Sequence, residues 1–171
     1  MMKYILIIIL ISMVAVLSCT PAPKSADTAD TAEAAEILPS VENEDYQPGS
    51  WAENWDYAIS AAIELERPIL INFTGSDWCV WCIRLKDEVF SKAEFSEYAE
   101  KNLVLLTLDF PRNIAQSDEL KQQNSTLQRQ FGIQGFPTIV LIDPTAKEIA
   151  RTGYRPGGAV EYVKHLEELL N

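Results

Sequence analysis

From residue 51 onward, apolar side chains recur with two different periods, and the alternation between them sketches the elements. Trp55, Ala58, Ile59, Ala62 and Ile63 fall at i, i+3, i+4, i+7 and i+8, the stripe of a core-facing helix over residues 54–66. Arg67-Pro68 ends it, because the residue before a proline is driven out of the helical region. Ile69 to Phe73 is a short, nearly continuous apolar run, as a strand buried on both faces requires. A helical stretch is predicted from about Cys79, and a second buried strand from Leu103 to Leu108. Residues 118–131 are amphipathic through Leu120, Leu127 and Phe131. Thr138 to Ile142 and Glu148 to Thr152 read as strands so close on either side of an Asp143-Pro144 turn that they should pair antiparallel. A last helix, Ala159 to Leu170, is expected to bury Val163, Leu166 and Leu170. The order predicts an α/β domain, a mixed central sheet with helices on both faces.

The first 50 residues follow neither period. Lys3 precedes fourteen uninterrupted apolar or small residues, Tyr4 to Leu17. That length suits the core of a secretion signal and falls short of the roughly 20 apolar residues that span a bilayer. Val16-Leu17-Ser18-Cys19 resembles the lipobox of bacterial lipoproteins, where the signal is cut before the cysteine and that cysteine is acylated. The resemblance implies that residues 1–18 are removed and that Cys19 carries a lipid; secretion without a lipid is the other reading of the same run. Several acyl chains, at about 0.8 kcal/mol per buried methylene, would anchor the protein without a spanning helix. Residues 20–50 are rich in Ala, Thr, Pro, Ser, Asp and Glu and have no sustained apolar period. They are expected to form a disordered linker with an end-to-end distance on the order of 30 Å. Residues 51–171 remain as one domain, large enough to bury roughly two-thirds of the surface its unfolded chain exposes. Its cysteines are therefore free for chemistry.

Charge narrows the partners. The net charge of −11 divides as +1 over residues 1–18, −6 over 19–50 and −6 over 51–171. No segment after Lys3 is basic, and nucleic-acid binding rests on clustered Lys and Arg, so none is expected.

The candidate chemistry lies in Cys79-Val80-Trp81-Cys82, directly after a predicted strand and at the opening of a helix. At i and i+3 the two sulfurs share a helix face, and the first sits where unpaired N–H groups and the helix dipole favour an anion. A thiol with a pKa of about 8.5 is only a few per cent ionised at neutral pH, whereas a shift to about 7 would leave it half ionised. Cys79 is thus the expected attacker on a disulfide, and Cys82 the group that resolves the mixed disulfide and releases product. Half of a zinc site is the competing reading, but it needs two further ligands. Only Cys19, at the signal junction, and His165, on the polar face of the last helix, are on offer, so no metal is expected. A purely structural bridge is disfavoured because so small a ring removes little chain entropy.

Ile71-Asn72-Phe73, Asp77-Trp78-Cys79-Val80-Trp81-Cys82 and Gly135-Phe136-Pro137-Thr138 together resemble the thioredoxin superfamily, over effectively Trp51 to Leu170. The resemblance implies a three-layer thioredoxin-like sandwich, no cofactor, and a cis Pro137 facing the cysteines, with the backbone before it pairing with substrate. Gly75-Ser76-Asp77-Trp78-Cys79 followed by Glu88-Val89-Phe90 is most similar to secreted bacterial thioredoxin-like proteins, and more loosely to the periplasmic C-terminal domain of the membrane thiol reductase DsbD. Two positions depart from those relatives. Asn72 stands where thioredoxins carry a buried acid that moves protons for the second cysteine, and Lys86 stands where the DsbD-like domain carries a Glu. Trp78, Trp81 and Phe136 are expected to frame the sulfurs, Trp78 partly as core and Trp81 as the better contact residue. The implied protein is a monomeric, membrane-tethered periplasmic oxidoreductase that acts on disulfide-containing exported proteins and is served by a membrane or periplasmic redox partner. A non-catalytic binding or holdase module on the same fold is the rival reading.

Overall fold

In the computed structural model, which describes residues 46–171, the apolar run Ile69–Thr74 becomes the middle strand of a five-stranded sheet. The signal, Cys19 and most of the expected linker lie outside the described residues. In chain order the elements are β1 (Trp51–Ala52), α1 (Trp55–Leu65), β2 (Ile69–Thr74), α2 (Val80–Leu85), a π-type segment (Lys86–Phe90), α3 (Ala93–Asn102), β3 (Val104–Asp109), α4 (Asp118–Gln130), β4 (Thr138–Ile142), β5 (Glu148–Thr152) and α5 (Gly158–Leu170). The strands lie in the order β1-β3-β2-β4-β5. β1 and β2 run parallel to β3, and the β2–β4 and β4–β5 pairs are antiparallel. This is the mixed sheet expected from the sequence.

Alternation along the strands divides the core in two. Ile69, Ile71, Phe73, Leu106 and Val140 point to one face and pack under α1 and Leu127 of α4. Leu70, Leu105, Ile139 and Leu141 point to the other, beneath Leu85 of α2, Phe95 of α3 and Tyr162 and Leu166 of α5. The helical stripes need correction. On α1 the buried residues are Ala58, Ala61 and Ala62, while Ile63 is 60% exposed. Three alanines let the helix sit close to the sheet and rotate its contact face towards Ala61, which turns Ile63 outward. On α5 the fully buried residue between Ala159 and Leu166 is Tyr162, whose hydroxyl donates to Gly153 O at 3.0 Å; Val163 and Leu170 pack only in part. α4 buries Asn124, whose amide donates to Asp109 O at 2.9 Å. Ahead of Trp51, Tyr46 packs beside Tyr57, and its hydroxyl accepts from Leu105 N–H at 2.9 Å.

Candidate active site

Everything that positions the cysteines begins where β2 stops. Gly75 lies directly beneath the Trp78 indole: a Cβ there would stand 2.5 Å from the ring. Its carbonyl accepts from the N–H groups of Trp78 and Cys79 at 3.3 and 2.9 Å, closing the turn into α2. Neighbouring carboxylates clamp the same turn to the end of β3. Asp109 accepts from Ser76 N–H at 2.8 Å and from Ser76 Oγ at 2.5 Å. Asp77 accepts from the N–H groups of Arg112 and Asn113 at 2.9 and 2.6 Å, and these backbone donors hold its carboxyl below the usual range. Trp78 Nε1 donates to Phe110 O at 2.8 Å, and the Arg112 guanidinium lies 4.0 Å over its ring.

Cys79 is the N-cap of α2, with extended backbone, and its sulfur accepts from Cys82 N–H at 3.2 Å. Cys79 and Cys82 are joined in a disulfide with Cα atoms 5.2 Å apart. Exposure does not separate the two sulfur-bearing residues, which are 6% and 5% accessible. Position does: only Cys79 caps a helix and receives a backbone donor.

The Phe136–Pro137 peptide bond is cis. Phe136 meets Trp78 edge-on at 5.9 Å and stacks on Phe110 at 5.1 Å, so these half-buried rings brace the site. Thr138 turns its hydroxyl to Gly135 O at 2.8 Å and holds the loop. Trp81 is 51% exposed and, with Arg84, Phe136, Pro137, Tyr154 and Pro156, lines an open groove of about 550 Å³. Tyr154 and Arg84 were not picked out by sequence reasoning. The Tyr154 ring lies 5.1 Å from Trp81, its hydroxyl donates to Glu88 at 2.7 Å, and Arg84 pairs with Glu88 at 2.9 Å. The i,i+4 spacing of Arg84 and Glu88 was legible; the approach of Tyr154 from beyond β5 was not.

Asn72 and Cys82 line one cavity of about 170 Å³ beneath α2, and the exposed Lys86 lines it too. His165 is away from the cysteines. It is not a plain surface residue: it is half-buried, with Nε2 3.0 Å from Thr152 Oγ1, and burial pushes its pKa down.

With the strand–turn–CxxC–helix unit and the cis Pro137 loop in place, comparison with known proteins decides the kinship. A family model described as a thioredoxin-like domain matches residues 55–169. The chain belongs to the thioredoxin-like family. It is 37% identical over 118 residues to a disulfide bond reductase named DsbH from Chlamydia pneumoniae, covering 69% of this chain and 71% of that one. A solved structure of a DsbH oxidoreductase superposes with a TM-score of 0.68 at 36% identity, covering 71% of this chain and 83% of that one. A thiol:disulfide interchange protein DsbD from Actinobacillus pleuropneumoniae is 32% identical over 81 residues, 45% of this chain and 12% of that much longer one. Family and dithiol together make this protein a thiol–disulfide oxidoreductase.

Proposed function

We propose that this thioredoxin-like protein reduces or reshuffles disulfides in exported proteins of the bacterial envelope, held at a membrane by a lipid on Cys19. The observation that carries it is the Cys79–Cys82 pair at the N-terminus of α2, beside an open groove of aromatic and proline side chains. The name of the Chlamydia relative supports the reductive direction. The apolar run ending in Val16-Leu17-Ser18-Cys19 supports export and the anchor.

The chemistry follows from the geometry. In the reduced pair, the thiolate of Cys79 is favoured by the Cys82 N–H and the helix terminus. It attacks one sulfur of a substrate disulfide; that bond breaks, and the other substrate sulfur leaves with the electron pair and takes a proton. Cys82, deprotonated, then attacks the Cys79 sulfur and expels the second substrate thiolate. Two electrons have passed to the substrate and the Cys79–Cys82 disulfide has formed. A dithiol partner at the membrane must reduce it again, and a tether keeps the domain near one. Trp81, Phe136 and Pro137 offer the apolar surface that a partly unfolded chain around a disulfide would meet.

Insulin reduction by the residue 46–171 domain, with Cys82→Ser as the control, tests the activity. Turnover in the wild type and a trapped mixed disulfide in the variant are expected; binding without turnover would instead favour a holdase. The equilibrium potential against glutathione tests direction, and a value much more oxidising than that of thioredoxin, about −270 mV, would overturn the reductive reading. Fatty-acid labelling of the full chain should disappear in Cys19→Ala, and persistent labelling would refute the anchor.

A further inference from the structure

The sheet face beneath α2 changes character along its length. β2 and β3 pair in register: Leu70 with Leu105, Asn72 with Thr107, Thr74 with Asp109. Leu70 and Leu105 are core residues, and the two-residue period keeps the next two pairs on that same face. Apolar packing thus gives way to a polar column as the strands reach the active-site turn. Asn72, Thr74, Thr107 and Ser76 line the cavity together with Cys82. Asn72 Oδ1 is buried and receives no donor from the protein. A buried carbonyl left so costs about 1–3 kcal/mol. The cavity, walled on its other side by Trp51, Ile83 and Phe90, has room for water between Cys82 and the Thr74 and Ser76 hydroxyls. From the same wall Ser76 Oγ reaches out to Asp109 Oδ2, 2.5 Å away.

We propose that Asp109 is the proton acceptor for Cys82, reached through water in this cavity and the Ser76 hydroxyl. The proposal rests on the dithiol reading above. In resolution, the Cys82 thiol gives its proton to a water in the cavity. That water protonates Ser76 Oγ as Ser76 passes its own proton to the Asp109 carboxylate. The Cys82 sulfur attacks the Cys79 sulfur, the mixed disulfide breaks, and the substrate sulfur leaves with the electron pair. It takes a proton from solvent, and half-exposed Asp109 returns one to solvent. A carboxylate takes a proton far more readily than a neutral water does, and β2 offers only the amide of Asn72. Asp109, one strand over, restores the acid that this chain lacks at residue 72.

Of the other charged groups around the turn, Asp77 is engaged by two backbone donors on the Arg112 side, and the Arg112 guanidinium is spent on the Trp78 ring. Lys86 lines the cavity from an exposed position, and an ammonium has no lone pair to take the proton. Glu88 faces the opposite way, held by Arg84 and Tyr154.

The test is stopped-flow tryptophan fluorescence of the reduced full chain reacting with a peptide disulfide, which separates attack from resolution. Asp109→Asn and Ser76→Ala are expected to slow resolution roughly a hundredfold at pH 7, the lower end of what general-base catalysis contributes, and to leave attack by Cys79 within about twofold. The defect should shrink as pH rises and hydroxide takes over. Asn72→Asp, added to Asp109→Asn, should restore resolution, which a merely structural role for Asp109 would not predict. Ser76→Ala keeps the Ser76 N–H bond to Asp109, so it decides the matter if Asp109→Asn fails to fold. Unchanged resolution and an unchanged pH profile in Ser76→Ala and Asp109→Asn would overturn the proposal and send the proton straight to solvent. If Cys82→Ser trapped no mixed disulfide, the dithiol reading itself would fall, and this proposal with it.

Discussion

Gly75 and Cys79 show how much of the site rests on single atoms. A methyl group at Gly75 would overlap the Trp78 ring, and that ring is held by the Phe110 carbonyl on one side and Arg112 on the other, so it cannot swing away cheaply. Gly75→Ala should therefore destabilise the domain by about 1–3 kcal/mol, read by denaturant unfolding, and slow insulin reduction because α2 enters from this turn. At Cys79 the argument is electrostatic. Both cysteines are nearly equally shielded, so burial predicts equal reactivity, whereas the N-cap position and the Cys82 N–H predict that Cys79 reacts first. Limiting iodoacetamide at pH 6 to 7, followed by peptide mapping, should label Cys79 well ahead of Cys82. Equal labelling would discard the helix-terminus account.

At the scale of elements, the two faces of α1 make opposite predictions. The periodicity of apolar residues places Ile63 in the core, but the contact face runs through Ala58, Ala61 and Ala62 and leaves Ile63 60% exposed. Ile63→Ser should change stability by less than about 0.5 kcal/mol. Ala62→Val should cost about 1–3 kcal/mol, because the helix is already as close to the sheet as alanine allows. Thermal unfolding of the two variants checks both, and a larger loss from Ile63→Ser would mean that the helix is rotated from the position described. The π-type segment after α2 has an equally definite effect: within it, Val89 and Phe90 pack into the core while Glu88 is left free to meet Arg84 and Tyr154 beside the groove.

For the molecule as a whole, acid should act in two stages. Burial lowers the His165 pKa, so the folded state prefers the neutral ring; this contribution is complete above the unfolded value of about 6.5 and is lost as pH falls through the lowered folded value. Asp77, Asp143 and Glu148 have carboxyls held low by hydrogen bonds from Arg112 N–H, the Thr145 hydroxyl and Arg151 respectively. Their contribution is complete above about pH 4 and is lost as pH falls through their folded values. Thermal midpoints measured from pH 8 to pH 2 should fall slightly below about pH 6.5 and steeply below about pH 4. His165→Gln should remove the first decline and leave the second; a single decline in the wild type would refute the reading of His165.

The sequence alone determined what depends on neighbours along the chain. The apolar run of β2, the turn into Cys79, the i,i+3 placement of Cys82, the antiparallel β4–β5 pair and the Pro137 loop are all local patterns, and the fold class and dithiol follow from them. The tertiary structure decided what depends on register and face between distant segments. Pairing Thr74 with Asp109 brings a carboxylate to Ser76 from 33 residues away. The chain's return beyond β5 lays Tyr154 on Trp81. The rotation of α1 onto its alanines turns out an isoleucine that periodicity had placed inside. Periodicity shows which side of an element is apolar, but strand order and helix rotation are set by how closely whole faces pack, and those choices brought a carboxylate to Ser76 and a second aromatic ring to Trp81.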